Sequence, residues 1–97
     1  MRLPTIILAC ALLAACGPSL KGEAIAGRTV MITNGEDEPL TIHKIVANDD
    51  EGRSECVDTP GATLGPGRTY TTTFFYCDEV SEVDVETDQG TRELSLN

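Results

Sequence analysis

From Arg28 onward, the sequence alternates between short runs rich in threonine and β-branched residues and clusters of glycine, proline and acidic residues. Runs of this length are typical of strands, and the clusters between them are typical of turns. No apolar period of 3.6 residues extends far enough to indicate a helix. Residues 28–97 are therefore predicted to form one all-β domain.

The first two predicted strands are Thr29 to Thr33 and Leu40 to Ala47, separated by the turn signal Asn34-Gly35 and an acidic loop. Within the second strand, the alternation of apolar residues slips by one position around His43 and Lys44. One extra residue in a strand restores its register by forming a β-bulge. We therefore expect a bulge at this point.

All four aromatic residues lie in one further predicted strand, Thr69 to Cys77. Alternation would give both of its faces large side chains to bury, which favours a central position in a sheet. The predicted faces are Tyr70, Phe74 and Tyr76 on one side, and Phe75 and Cys77 on the other.

A hairpin is predicted over Val80 to Glu86 and Thr91 to Leu96. A single buried face requires Val83 to lie opposite Leu94, because a shift of one residue would expose the leucines. This register is compatible with a four-residue loop, Thr87 to Gly90, and directs the acidic residues of the hairpin to one outward surface.

The N-terminal segment has the features of a signal peptide: a charged Arg2, an apolar run from Leu3 to Leu13 and the small pair Ala14-Ala15. The run ends at Cys16, short of the roughly 20 apolar residues that cross a membrane as a helix. An export signal is therefore expected over residues 1–15.

The stretch Leu13-Ala14-Ala15-Cys16-Gly17 resembles the lipobox of bacterial lipoproteins. The resemblance implies cleavage before Cys16, a diacylglyceryl group on its thiol and acylation of its amine. With Gly17 next, rather than an aspartate, it implies delivery to the periplasmic face of the outer membrane. The alternative is an ordinary secretory signal with a coincidental cysteine.

Cleavage before Cys16 would have three consequences for the rest of the chain. Residues 16–27, rich in small residues, are expected to be the lipidated N-terminus and a flexible tether of roughly 18 Å. Loss of Arg2 changes the formal net charge from −9 to −10. So acidic a surface disfavours nucleic acid and anionic lipid headgroups, and leaves solubility, a cation or a basic protein partner as its roles.

The cysteines are consistent with export. Cys10 would leave with the signal and Cys16 would carry lipid, so Cys56 and Cys77 remain as the one candidate disulfide. The pair could face each other across an antiparallel hairpin around Pro66-Gly67, or join two sheets.

Turn motifs in the domain resemble those of the small immunoglobulin-like ASH modules of bacterial surface and periplasmic proteins. The resemblance implies an immunoglobulin-like antiparallel β-sandwich of about six or seven strands, and no catalytic residues. This chain differs in having one extra residue between Gly35 and Pro39, and in its cysteine pair. The resemblance rests on Val30 to Gly35, Glu38 to Ile42, Leu64 to Gly67 and the aromatic pair Phe74-Phe75.

The sequence offers little for catalysis, cofactors or metals. His43 is the one histidine, and no nucleophile-base or phosphate-loop motif is present. Zinc is disfavoured because Cys56, Cys77 and His43 lack close ligand spacing. Calcium at the acidic stretches Glu36 to Glu38 and Asn48 to Glu51 is a less favoured alternative to simple solvation. We therefore expect no enzyme, no cofactor and no metal.

Two functions of different kinds remain. The first is a lipid-anchored binding or structural module of the cell envelope. The second is an acidic inhibitor or exclusion lipoprotein that captures a cationic enzyme or an incoming protein. Both would use a protein partner, and the candidate partner face comprises Asp78, Glu79, Glu82, Asp84 and Glu86.

Overall fold

A computed structural model of the chain describes residues 17–96, so the signal segment and Cys16 lie outside the described residues. Within this range the chain forms eight strands and a single 3₁₀ turn, Ser54–Cys56. The prediction of an all-β fold is confirmed. The strands are β1 (Leu20–Ile25), β2 (Thr29–Asn34), β3 (Leu40–Ala47), β4 (Val57–Asp58), β5 (Ala62–Leu64), β6 (Thr69–Thr73), β7 (Glu82–Thr87) and β8 (Gly90–Ser95).

The strands form two antiparallel sheets. One has the order β1-β2-β6, and the other has the order β4-β3-β7-β8 with β5 also paired to β3. The short strands β4 and β5 share one edge of the eight-residue β3. The predicted antiparallel sandwich is therefore confirmed, with eight strands where about six or seven were expected.

The core lies between the inner faces of the two sheets. It follows the period of two that the sequence predicts for half-buried strands. The bulge predicted in β3 is confirmed by a register shift between Ile42 and Lys44, and it returns Ile45 to the inner face. Residues of the core with no exposed surface are Val30, Ile32, Ile42, Ile45, Ala47, Cys56, Val83 and Val85.

The predicted register of the terminal hairpin is also confirmed. Val83 pairs with Leu94 and Val85 pairs with Arg92. The four-residue loop predicted over Thr87 to Gly90 is too long, because Thr87 pairs with Gly90 and only Asp88 and Gln89 form the tip. Gly90 has a φ of +118°, which glycine adopts more easily than any other residue.

The flexible tether predicted over residues 16–27 is wrong where Leu20–Ile25 forms β1. This strand pairs with β2 and turns the small residues Gly22 and Ala24 inward. A Cβ atom at Gly22 would lie 2.8 Å from Leu96 and 2.9 Å from Leu94, so the absence of a side chain lets β8 approach closely. The weak hydrophobicity of these residues concealed a strand that closes one side of the sandwich.

The predicted central strand Thr69 to Cys77 is also wrong in length and position. Only Thr69–Thr73 is a strand, and it lies at the edge of the three-stranded sheet. Phe74 is buried, but the chain then turns, with the Cys77 amide donating a hydrogen bond to the Phe74 carbonyl. Phe75 and Tyr76 therefore project from this turn with 74% and 81% of their surface exposed.

Candidate functional site

The sandwich has two ends, and the described chain enters at the one we call the N-terminal end. There Ser19 accepts a hydrogen bond from the amide of Gly35 at 2.8 Å, and Pro18 is buried. A Cβ atom at Gly17 would collide with the carbonyl oxygen of Thr91, at the start of β8. Gly17, the first described residue, is thus already packed against the sandwich.

The opposite end, which we call the distal end, is formed by the β1–β2 turn, the loop after β3 and the segment 74–81. Asn48 joins the loop after β3 to the segment 74–81. Its side chain donates a hydrogen bond to the Glu79 carbonyl at 3.0 Å and accepts one from the Ser81 amide at 2.9 Å. The Val80 amide donates to the Gly27 carbonyl at 2.7 Å. These bonds fix the segment 74–81 onto the two neighbouring loops.

The Cys56–Cys77 disulfide, confirmed with a Cα–Cα distance of 5.1 Å, secures the same segment. Cys56 ends the 3₁₀ turn before β4. Cys77 follows β6 in the other sheet. Of the two geometries left open by the sequence, the bridge joins the two sheets at their edges.

An open groove of about 210 Å³ lies between β6 and β4, beside the exposed aromatic pair. Val57 and Phe74 contribute apolar surface to it, and Glu55 and Asp58 contribute carboxylates. Sequence reasoning placed both Phe75 and Tyr76 in a strand and did not identify this surface. The useful signal was the Cys77-Asp78-Glu79 run directly after them, which marks a loop.

Charged contacts surround the groove. Arg53 lies 3.4 Å from Asp78 and 3.9 Å from Glu55, and it also donates to the Tyr76 carbonyl at 3.4 Å. The Tyr70 hydroxyl donates a hydrogen bond at 2.7 Å to Asp58, which lines the groove. Partial burial, together with this carboxylate, raises the pKa of Tyr70 and keeps its phenol protonated.

The predicted acidic partner face is divided between two places. Glu82, Asp84 and Glu86 project from alternate positions of β7 onto the outer surface of the five-stranded sheet. Asp78 and Glu79 instead lie in the distal segment.

The centre of the β7 face is crowded with negative charge. Asp84 pairs with Glu93 of β8, and its pKa is raised by partial burial and by the neighbouring carboxylates, Glu93 first among them. Lys44 lies opposite Glu86, but it forms its ion pair with Glu51. The carboxylates on this face therefore outnumber the basic side chains that pair with them.

Replacing Asp84 with asparagine is expected to raise the free energy of unfolding at pH 7. A carboxyl whose pKa is raised in the folded state opposes folding while it is ionised, and this opposition is relieved as the pH falls through the folded-state pKa. Urea unfolding of wild type and Asp84→Asn from pH 7 to pH 3.5 checks this. The advantage of the variant should shrink toward the acid end, and an advantage that grows there would contradict the assignment.

The remaining sequence candidates acquire no partners that suggest chemistry. His43 is exposed at the bulge of β3. Within residues 17–96, no three histidine, cysteine or acidic side chains are grouped so as to hold a metal ion. The same residues include no helix with the length and hydropathy of a membrane span.

Comparison of the chain with protein-family models, with characterised proteins and with solved structures yields no match.

Proposed function

We propose that this protein is a lipid-anchored binding module of the bacterial cell envelope, held to the membrane through Cys16. The observation that carries the proposal is the placement of two features at opposite ends of one rigid sandwich. Gly17, one residue after the proposed lipid site, packs against the N-terminal end, and the exposed Phe75 and Tyr76 lie at the distal end.

The absence of slack after Cys16 supports an oriented module. A lipidated Cys16 would draw the N-terminal end against the headgroups, because Pro18 and Ser19 are already part of the fold. Strands of six to eight residues extend about 20–26 Å. The distal end would thus be presented away from the anchoring membrane, toward the envelope space where a partner protein would be met.

The choice of a binding role follows from the chemistry of the exposed side chains. Large aromatic residues on the surface of a small domain are typical of protein interfaces, where they supply apolar area with few rotamers to fix. The resemblance of the turn motifs to immunoglobulin-like modules also favours binding over catalysis. We propose no enzymatic activity and no cofactor.

Intact mass spectrometry of the exported protein tests the anchor. The expected species begins at Cys16 and carries a diacylglyceryl group, and Cys16→Ala is expected to remain unprocessed or to leave the membrane fraction. Several acyl chains at about 0.8 kcal/mol per buried methylene make release of the native form negligible. A mature N-terminus at any other residue would overturn this part of the proposal.

A second candidate function is an acidic inhibitor or exclusion lipoprotein that captures a cationic enzyme or an incoming protein. The crowding of Asp84, Glu86 and Glu93 on the outer sheet favours it, since a basic partner would relieve their repulsion. Capture through this face should weaken steeply between 50 and 500 mM salt. Capture that depends on the aromatic pair should instead be weakened by Phe75→Ser combined with Tyr76→Ser and be unchanged in Asp84→Asn.

A further inference from the structure

The edge strand β6 has unpaired backbone groups along its outer side. In an antiparallel strand, successive residues direct their amide and carbonyl groups to opposite sides. Arg68 and Phe74, which flank β6, bond to β2, so the even-numbered residues between them face β2 as well. The backbone groups of Thr69, Thr71 and Thr73 therefore point away from β2, toward a side where no strand within residues 17–96 pairs with β6.

Among the described residues, β6 itself carries none of the sequence features that usually block strand pairing. Folded proteins protect edges with charged residues, proline, bulges or a covering segment. The five residues of β6 include neither charge nor proline, and they pair with β2 without a register shift. On the other side of the sandwich, β1 is packed closely against β8 at Gly22. That side is therefore closed, whereas the side at β6 is open.

The surroundings of the edge define the chemistry of an occupant. Glu55 and Asp58 line the groove beside β6, and Phe75 and Tyr76 project at its C-terminal end. Carboxylates attract a cationic side chain, and aromatic faces attract it further by cation–π interaction. A second copy of this chain is disfavoured as the occupant because each copy has a net charge of −9.

We infer that the outer edge of β6 accepts an extended basic segment of a partner polypeptide by strand addition. The inference rests on the proposed binding function and names its site. Backbone bonds to Thr69, Thr71 and Thr73 would align the segment, and its arginine or lysine side chains would lie between the carboxylates of the groove and the aromatic pair.

The first test measures binding of synthetic peptides to the folded protein by calorimetry. The probe is a seven-residue peptide that alternates arginine with valine. One control replaces its arginines with glutamate, and another places proline at alternate positions. We expect the basic peptide to bind at least tenfold more tightly than either control. Equal binding of the proline peptide would overturn strand addition, and no binding of the basic peptide at millimolar concentration would overturn the site.

Matched variants test whether the peptide binds at the edge of β6. Thr71→Pro removes an outward amide without breaking a bond to β2, and it is expected to weaken peptide binding at least tenfold, whereas Thr71→Ala should change it less than twofold. Phe75→Ser combined with Tyr76→Ser should also weaken binding at least tenfold. This double variant alters exposed side chains only and keeps the test valid if the proline variant misfolds.

Hydrogen exchange provides an independent readout of the same site. Added peptide should slow exchange of the amides of Thr69, Thr71 and Thr73 in the otherwise unchanged protein. Slower exchange of β8 amides on adding peptide would assign the peptide to another surface and refute the inference. So would a pair of variants in which Asp84→Asn abolishes peptide binding while Thr71→Pro leaves it unchanged. Failure of the lipid anchor would instead appear in the mass of the N-terminus, so the two proposals fail separately.

Discussion

Replacing Cys56 and Cys77 together with serine is expected to lower the free energy of unfolding by about 3 kcal/mol. The bridge closes a loop between residues 21 positions apart, and the chain-entropy model assigns a loop of this length about that value. In so small a domain, this loss is a large share of the total stability. We also expect the segment 74–81 to lose its fixed position, since Cys77 joins it to the opposite sheet.

Urea unfolding followed by circular dichroism measures the effect. A reducing agent should destabilise the wild-type protein to a similar extent and leave the double serine variant unchanged. A loss below about 0.5 kcal/mol would show that the bridge adds little to what the hydrogen bonds of Asn48 and Val80 already secure.

The second large effect is expected from Asn34→Ala. Asn34 has no exposed surface, and its side-chain amide donates to the carbonyls of Glu38 at 2.9 Å and Leu64 at 3.0 Å. Its carbonyl oxygen accepts from the amide of Glu36 at 2.8 Å. Alanine would leave these partners without their bond, at a cost of about 2–4 kcal/mol in the free energy of unfolding.

Asn48→Ala is the matched control for this prediction. Asn48 also joins two segments through its side chain, but it does so at the exposed distal end, where water can replace the lost bonds. Its loss should cost about 1 kcal/mol, including the strain of its positive φ of 56°. Equal losses in the two variants would contradict the role assigned to burial at Asn34.

The parts of the fold that the sequence predicts are those governed by local pattern. β2, β3 and the terminal hairpin follow from alternation and turn residues, because a strand with one buried face tolerates no shift in register. The bulge in β3 was predictable for the same reason, since Ile45 could reach the core only if one residue was added. The pairing of Val83 with Leu94 needed nothing beyond these rules.

The parts that the sequence does not predict depend on distant contacts. Gly22 and Ala24 are too small to indicate a buried strand by themselves, and β1 is recognised only when Leu94 and Leu96 are seen to cover it. The end of β6 at Thr73 depends on Cys77 joining the other sheet. No local pattern in the aromatic run reveals where the chain leaves the sheet.

The candidate site was anticipated unevenly for the same reason. The disulfide follows from counting cysteines, and the outward acids of β7 follow from alternation. The exposed pair Phe75 and Tyr76 does not, because apolar residues are expected inside and only the turn after Phe74 places them outside. The free edge of β6 required the order of the strands, which no single segment encodes.

The contact of β1 with β8 also has a consequence for the order of folding. β1 can pair with its neighbour β2 early, but the side chains that cover its inner face, Leu94 and Leu96, come from β8 and the residue after it, at the end of the described chain. Contacts between residues so far apart in sequence form slowly. Until they form, the partly closed sheets expose apolar surface. During synthesis or passage through a membrane pore, the sandwich would remain open along this side until the final strand emerged. Its closure would then be a late step that involves the whole domain.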